Sequence, residues 1–195
     1  MNVIFTLIGL RSLSKICVVC GICVKLIATP TQAEAQQIER AKPAPVMEKL
    51  AKGLAGEWRG TSWAITATGR RRIDSWEKVD SKLDGLALFV HGRHTSLEKE
   101  DSGRVVHEAV AMLYYDLAAK RLRLIPMTMD GRTVETDVTE TEKGYIWGFA
   151  LPNNVGRVRY TVDLSQPDTW IETGEFSRDG TTWMPTLALN LKRVH

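Results

Sequence analysis

The spacing of apolar positions changes at Gly56, and this change divides the sequence into two parts. After Gly56, apolar residues recur at every second position, which is the period of a β-strand with one buried face. Near the C-terminus, for example, one face is expected to carry Trp183, Leu187, Leu189 and Leu191, whereas Asn190 lies on the other. Shortly before Gly56 the apolar spacing is that of a helix. The pattern therefore predicts a short helix followed by a long series of strands.

Nine turn signals divide the second part, and most of them contain a glycine. Asp-Gly pairs at 84–85, 130–131 and 179–180 are strong hairpin signals because both residues tolerate positive φ. The turns predict ten strands, at roughly 56–68, 72–83, 86–97, 105–116, 121–129, 132–140, 144–151, 156–164, 169–177 and 182–193. Consecutive hairpins usually close into a barrel, since closure removes the exposed edges. We expect an all-β fold, an antiparallel up-and-down barrel of about ten strands.

The helical segment carries one apolar stripe, with Val46, Leu50 and Leu54 at i, i+4 and i+8. Pro45 suits the first turn of such a helix. About nine residues are too few for a helix that is stable alone, so the stripe must dock on the barrel as a plug. Residues 36–45 form a polar linker, and 46–195 form the barrel domain.

Residues 1–35 have the features of a secretory signal peptide. Arg11 and Lys15 supply positive charge, and an apolar run at 16–24 follows them. Ala33-Glu34-Ala35 matches a small-x-small cleavage pattern, so we expect cleavage after Ala35 and a periplasmic or secreted protein. The alternative is an N-terminal membrane anchor, but neither apolar run reaches the ~20 residues of a spanning helix.

Composition excludes some partners. Three of the 26 basic residues and one of the 23 acidic residues lie in 1–35, so the rest of the chain is nearly neutral. This balance argues against nucleic acid, and against a membrane surface after signal cleavage. The three cysteines, Cys17, Cys20 and Cys23, also lie in the signal segment, and no metal site is predicted.

The sequence around Gly56 resembles that of a known superfamily. A short helix, then Gly56-x-Trp58, then eight to ten antiparallel strands ending in a basic residue, is similar to the calycin superfamily of lipocalins and fatty-acid-binding proteins. The resemblance implies that Trp58 plugs the closed end of the barrel and that Arg193 stacks on its ring. Gly56, Trp58 and Arg193 are therefore expected to close the barrel.

A bacterial lipocalin-like domain family of unknown function is similar over a longer stretch, roughly 47–194. The matching segments are Tyr115-Asp116-x-x-x-Lys120, Trp147, Arg157-Val158-Arg159-Tyr160 and Ser177-x-Asp179-Gly180-x-x-Trp183. More distantly, the layout resembles nitrobindin-type barrels, which hold haem through a histidine near the start of the last strand. The corresponding stretch, 183–188, contains no histidine, so no cofactor is predicted and haem has no ligating histidine there.

The strand pattern gives a set of candidate ligand-binding residues. Trp147 and Phe149 are expected to form an apolar wall, with Glu172, Tyr160 and His91 as the polar groups. Glu172 lies between Trp170 and Phe176 on the expected inward face, unless Gly174 causes a register slip. No catalytic residues are predicted.

The leading functional prediction is the binding of a small, largely apolar molecule in the barrel. One alternative is a cofactor enzyme of haem type on the same scaffold. The other is a barrel filled by its own side chains that acts as an interaction module. The fold alone does not choose among these functions.

The signal-peptide assignment leads to a first prediction. The exported protein should lack residues 1–35 and begin at Gln36, because a signal peptidase cleaves after the small residue at the end of this pattern. N-terminal sequencing of the exported protein measures this directly. Mature protein that begins at Met1, or that stays in the cytoplasm, would contradict the assignment.

Overall fold

The computed structural model describes residues 40–195, which contain one α-helix and ten strands. The elements are α1 (Pro45–Leu54), β1 (Gly56–Thr66), β2 (Gly69–Lys82), β3 (Ala87–Ser96), β4 (Val105–Asp116), β5 (Arg121–Thr128), β6 (Thr136–Glu140), β7 (Gly144–Ala150), β8 (Arg157–Asp163), β9 (Thr169–Ser177) and β10 (Met184–Val194). Short 3₁₀ turns at Leu83–Gly85 and Pro152–Asn154 complete them. Within the described residues, no helix has the length and apolarity needed to cross a membrane.

Each strand pairs antiparallel with its neighbours along the chain, and β1 pairs with β10, so the sheet is a closed ten-stranded barrel. The predicted lipocalin-like fold is confirmed. The main difference in bounds is β6, which begins at Thr136 instead of near 132. Arg132 donates both its backbone N–H and its guanidinium Nε–H to Asp130, and these local bonds form a turn in place of the first ladder positions. A single bridge, Met127 to Thr133, remains there.

The interior is packed at the end that α1 covers. The buried apolar residues that form this core come from the helix and from all ten strands. They are Met47, Leu50, Leu54, Trp58, Val79, Leu88, Leu113, Leu122, Leu124, Val138, Tyr145, Val162, Trp170, Leu189 and Leu191. The helix thus acts as the expected plug, with Met47, Leu50 and Leu54 as its buried stripe.

Trp58 and Arg193 join the end of α1 to the first and last strands. They are register partners of β1 and β10, and the Arg193 guanidinium lies 4.1 Å from the centre of the Trp58 ring. Trp58 Nε1 donates to the Leu54 carbonyl at 2.8 Å. The guanidinium donates to the carbonyls of Gly53, at 2.8 Å, and Ala55. These bonds satisfy carbonyls at the C-terminus of the helix that have no partner within it.

The contact also explains the glycine at position 56. Gly56 has φ of 132°, and a Cβ there would lie 2.7 Å from Nη1 of Arg193. Both the backbone conformation and the space favour a residue without a side chain.

A β-bulge in β10 gives Trp183 a different face from the expected one. The sequence pattern places Trp183 on the inward face with Leu187, but the register shifts between Pro185 and Leu187. The extra residue reverses the alternation before the bulge. Trp183 instead lies on the outer side, 4.1 Å beneath the guanidinium of Arg159.

The closure leads to a stability prediction. Trp58→Ala should lower the free energy of unfolding by about 3–5 kcal/mol, as deletion of a large buried aromatic side chain does. Arg193→Ala should cost less, and the double variant should lose less than the sum of the two, because the residues share one contact. Urea unfolding followed by circular dichroism measures all three.

Arg159→Ala is the matched control, since it removes an arginine stacked on a tryptophan at the surface. It should cost below about 1 kcal/mol. Strictly additive losses at Trp58 and Arg193 would show that the two residues are not coupled.

Candidate ligand-binding site in the barrel interior

The two ends of the barrel interior differ in how tightly they are packed. The sheet register identifies the inward positions, since these pair across strands with residues of the buried core. At the α1 end, inward residues such as Leu88 and Leu113 are fully buried. Further along the same strands, the inward residues Val90 and Ala111 are only half-buried. The half of the interior opposite α1, here called the open half, is therefore partly accessible to solvent, although Ser75 and Ser96, which also point inward there, are buried.

Aromatic side chains line one wall of the open half. Trp147 and Tyr160 are register partners on β7 and β8, and their rings stack at 4.2 Å with an 18° tilt. Phe149 lies beside Trp147, with ring centroids 6.2 Å apart. Gly174 leaves room for this wall, because a Cβ there would lie 2.9 Å from Cε1 of Tyr160. Three of the predicted residues, Trp147, Phe149 and Tyr160, are thus neighbours on the inner wall.

Glu172 also points inward, between Trp170 and Gly174 on β9. Pairing with β8 continues without a shift through Gly174, so the register slip that would turn Glu172 outward is absent. Trp170 Nε1 donates to the Glu172 carboxyl at 3.3 Å. Burial, together with the nearby carboxyl of Glu77, raises the pKa of Glu172 to about 8. Near neutral pH, Glu172 is therefore largely protonated.

Glu77 belongs to a second polar group, which the sequence analysis missed. The His94 ring bonds Ser75 Oγ through Nδ1 at 3.0 Å and lies against Glu77 Oε1 through Nε2 at 3.1 Å. Ser75 Oγ in turn lies 2.7 Å from Ser62 Oγ. Gly92 makes space for the carboxylate, since a Cβ there would approach Glu77 Oε1 to 2.5 Å.

A sequence signal for this group exists on β2. Alternate residues of a strand share one face, and one face of β2 carries Ile73, Ser75, Glu77 and Val79. Because the apolar residues at the two ends of this series favour the interior, the two polar residues between them are expected to point inward as well.

The structure places His91 on the outer face of the barrel. Its Nε2 lies 3.0 Å from Glu108, and its ring meets the edge of Trp76 at 5.2 Å. The inward histidine of β3 is His94, which lies 5.4 Å from His107 across the β3–β4 pair. In the part of the chain that the structure describes, no three His, Cys, Asp or Glu side chains are arranged to hold a metal ion.

The β3–β4 loop closes one side of the open half. Arg71 bonds Ser96 at 3.0 Å and also pairs with Asp101, which accepts a bond from Ser96 at 2.5 Å. The hydrogen bonds from Ser96 and Arg71 lower the pKa of Asp101 to about 2. A surface cleft of about 380 Å³ lies here, lined by Thr68, Arg70, Arg71, Glu98, Glu100 and Asp101. Two of its charged groups, Arg71 and Asp101, already pair with each other, so it is a weaker ligand site than the interior.

Comparison with known proteins gives relatives by fold. No family model matches the chain, and a search of curated proteins gives no match. Rv2717c from M. tuberculosis is similar in structure, with a TM-score of 0.61 at 14% identity, over 79% of this chain and 100% of that one. The S-type phycobiliprotein lyase CPES from Guillardia theta has a TM-score of 0.52 at 13% identity, over 76% of this chain and 92% of that one. At these identities the likeness shows the fold alone, a closed lipocalin-like β-barrel.

The raised pKa of Glu172 leads to a prediction on stability. The folded protein holds this proton up to about pH 8, whereas the unfolded chain releases it near 4.5. The wild type therefore loses stability as pH rises from 4.5 to 8, at up to about 1.4 kcal/mol per pH unit. Glu172→Gln lacks this loss, so its stability relative to the wild type should increase across that range. Urea unfolding at pH 5, 6, 7 and 8 measures the difference.

Glu175→Gln is the control, because Glu175 lies on the outer face of the same strand and pairs with Arg159. Its difference from the wild type should change little with pH. A constant difference for Glu172→Gln between pH 5 and 8 would show that Glu172 has an ordinary pKa.

Proposed function

We propose that this barrel binds a small, largely apolar molecule in the open half of its interior. The observation that carries the proposal is the half-buried state of inward apolar and aromatic residues, among them Val90, Trp147, Tyr160 and Leu187. Side chains that point into a barrel but remain accessible to water must border unfilled space. Ligand sites are typically concave and apolar, with few polar groups, and this half of the barrel has both properties.

The polar groups of the open half would orient the ligand. Glu172 and the Tyr160 hydroxyl lie beside the aromatic wall, and within residues 40–195 nothing hydrogen-bonds that hydroxyl. Of the predicted binding residues we retain Trp147, Phe149, Tyr160 and Glu172. His94 replaces His91 as the inward histidine. The ligand therefore has a flat or short-chain apolar body and one polar end.

Two competing hypotheses give different observations. A filled barrel predicts tight packing at both ends, and the half-buried inner wall favours an open interior over that alternative. A haem-type enzyme predicts a Soret absorption band in the purified protein. One similar barrel is by name a lyase, so this layout is compatible with catalysis as well as with binding.

We also propose that the protein works outside the cytoplasm. This part rests on the signal-peptide pattern of residues 1–35, which lie outside the described residues.

Filling the open half should weaken binding. Ala111→Phe places a ring in the interior beside Val90, so the affinity for the neutral dye N-phenyl-1-naphthylamine should fall by about tenfold or more, ~1.4 kcal/mol. Titration of the dye with protein, followed by its fluorescence, gives the dissociation constants.

Val110→Phe is the matched control, because Val110 directly precedes Ala111, faces outward and is 50% exposed. Its affinity should stay within about twofold of the wild type, since the added ring lies in solvent. Equal affinities of wild type, Ala111→Phe and Val110→Phe, or no saturable binding to any of them, would contradict binding in the open half.

A further inference from the structure

The charges that face the interior are unbalanced. Two carboxyl groups, Glu77 and Glu172, lie within it and are close enough for one to raise the pKa of the other. Among the described inward residues, Arg71 and Arg193 are the arginines. Arg71 pairs with Asp101 at the end opposite α1, and Arg193 is bonded to its partners at the α1 end. His94 uses one ring nitrogen on Ser75 and the other on Glu77. Arg132, whose charge acts on Tyr160 and His107 from the β5–β6 turn, pairs with Asp130. Burial and the neighbouring His94 lower the pKa of His107. No uncommitted cation of residues 40–195 therefore faces Glu172.

Tyr145 adds a polar group near both carboxyls. Its side chain points inward from β7 and is 5% exposed. Burial raises the pKa of Tyr145, as do the neighbouring carboxyls of Glu172 and Glu77, so the phenol stays neutral. A neutral phenol oxygen can accept a hydrogen bond from a ligand.

The aromatic wall completes the arrangement. The stacked rings of Trp147 and Tyr160 lie beside Glu172, whose carboxyl accepts a hydrogen bond from the Trp170 indole. Aromatic faces attract cations, and the attraction strengthens where water is excluded. Carboxyl groups, a phenol oxygen and aromatic rings together form a set that favours positive charge.

We propose that the polar end of the ligand is a protonated amine on a largely apolar body, held by Glu77 and Glu172 against the aromatic wall. This inference rests on the proposed function and names the ligand class of the same site. The ammonium group donates hydrogen bonds to the carboxyls and to Tyr145. A carboxylate ligand would meet two like-charged or neutral acids without a free cation to oppose them.

Binding of an ammonium group is coupled to proton release. A positive charge beside Glu172 favours its ionised form, so its pKa falls when the ligand binds. At pH 7 the free protein holds this proton and the complex does not. Binding should therefore release up to one proton to the buffer.

Three probes with the same apolar body separate the possibilities: n-octylamine, n-octanol and octanoate. Isothermal titration at pH 7 should show octylamine binding at least about tenfold more tightly than octanol, with octanoate weakest. The apparent enthalpy for octylamine should depend on the ionisation enthalpy of the buffer, measured in phosphate and in Tris. That dependence should be absent for octanol.

Variants locate the effect. Glu172→Gln should remove most of the preference for octylamine over octanol and the buffer dependence of octylamine binding, and Glu77→Gln should reduce the same preference. Glu175→Gln, on the outer face, should leave both unchanged. Circular dichroism and urea unfolding confirm that each variant is folded.

The failure of this inference is distinguishable from that of the proposed function. Equal affinity for the three probes, tighter binding of octanoate, or an amine preference that survives both interior substitutions would contradict the amine assignment. The same holds if N-phenyl-1-naphthylamine binds and octylamine does not. If neither the dye nor any octyl probe binds, the proposed interior site itself is wrong.

Discussion

The barrel depends on one contact, in which the Arg193 guanidinium stacks on Trp58 and bonds the carbonyls at the end of α1. This contact joins the first strand, the last strand and the helix. A helix of ten residues has little stability of its own, so its position depends on the satisfied carbonyls and on its buried stripe. Closure of the sheet between β1 and β10 brings Arg193 to Trp58. The helix, the closure and the buried end of the interior therefore form together.

Because α1 closes one end of the barrel, the interior is reached from the other end. The polar side chains of the interior lie outside the apolar core at the α1 end. The buried end is apolar, and the polar groups at its border, Glu77, His94 and the two serines, contact one another. Glu77 has His94 against it, and the Ser62–Ser75 pair continues this chain of polar contacts. Among the described residues, the hydrogen-bond donor to Glu172 is the Trp170 indole, and burial shifts the carboxyl to its neutral form. A buried polar group without a full set of partners costs stability, and such costs are typical of positions that serve a ligand.

The sequence allowed the strands and turns to be predicted well, because glycine turns and period-two alternation are local signals. Face assignment was less certain where it depended on register. His91 and His94 are chemically equivalent candidates for a polar group in the interior. Only the strand register, which aligns His94 with core positions, shows that His94 points inward. Trp183 lies on the outer face because of a bulge between Pro185 and Leu187, which the local sequence pattern does not predict. Glu77 was missed because β2 does not alternate clearly between apolar and polar residues there. The inward face carries the polar Ser75 and Glu77, and the outward face carries Trp76.

Two glycines inside strands show how the interior site is formed. Neither Gly92 nor Gly174 has a positive φ, so backbone conformation does not explain them. Each occupies an inward position where a Cβ would collide with a neighbour, the Glu77 carboxylate in one case and the Tyr160 ring in the other. A side chain at either position would move a group that borders the open half. The missing Cβ atoms thus set the positions of one carboxyl and one aromatic ring, which are the two kinds of group that a cationic ligand needs.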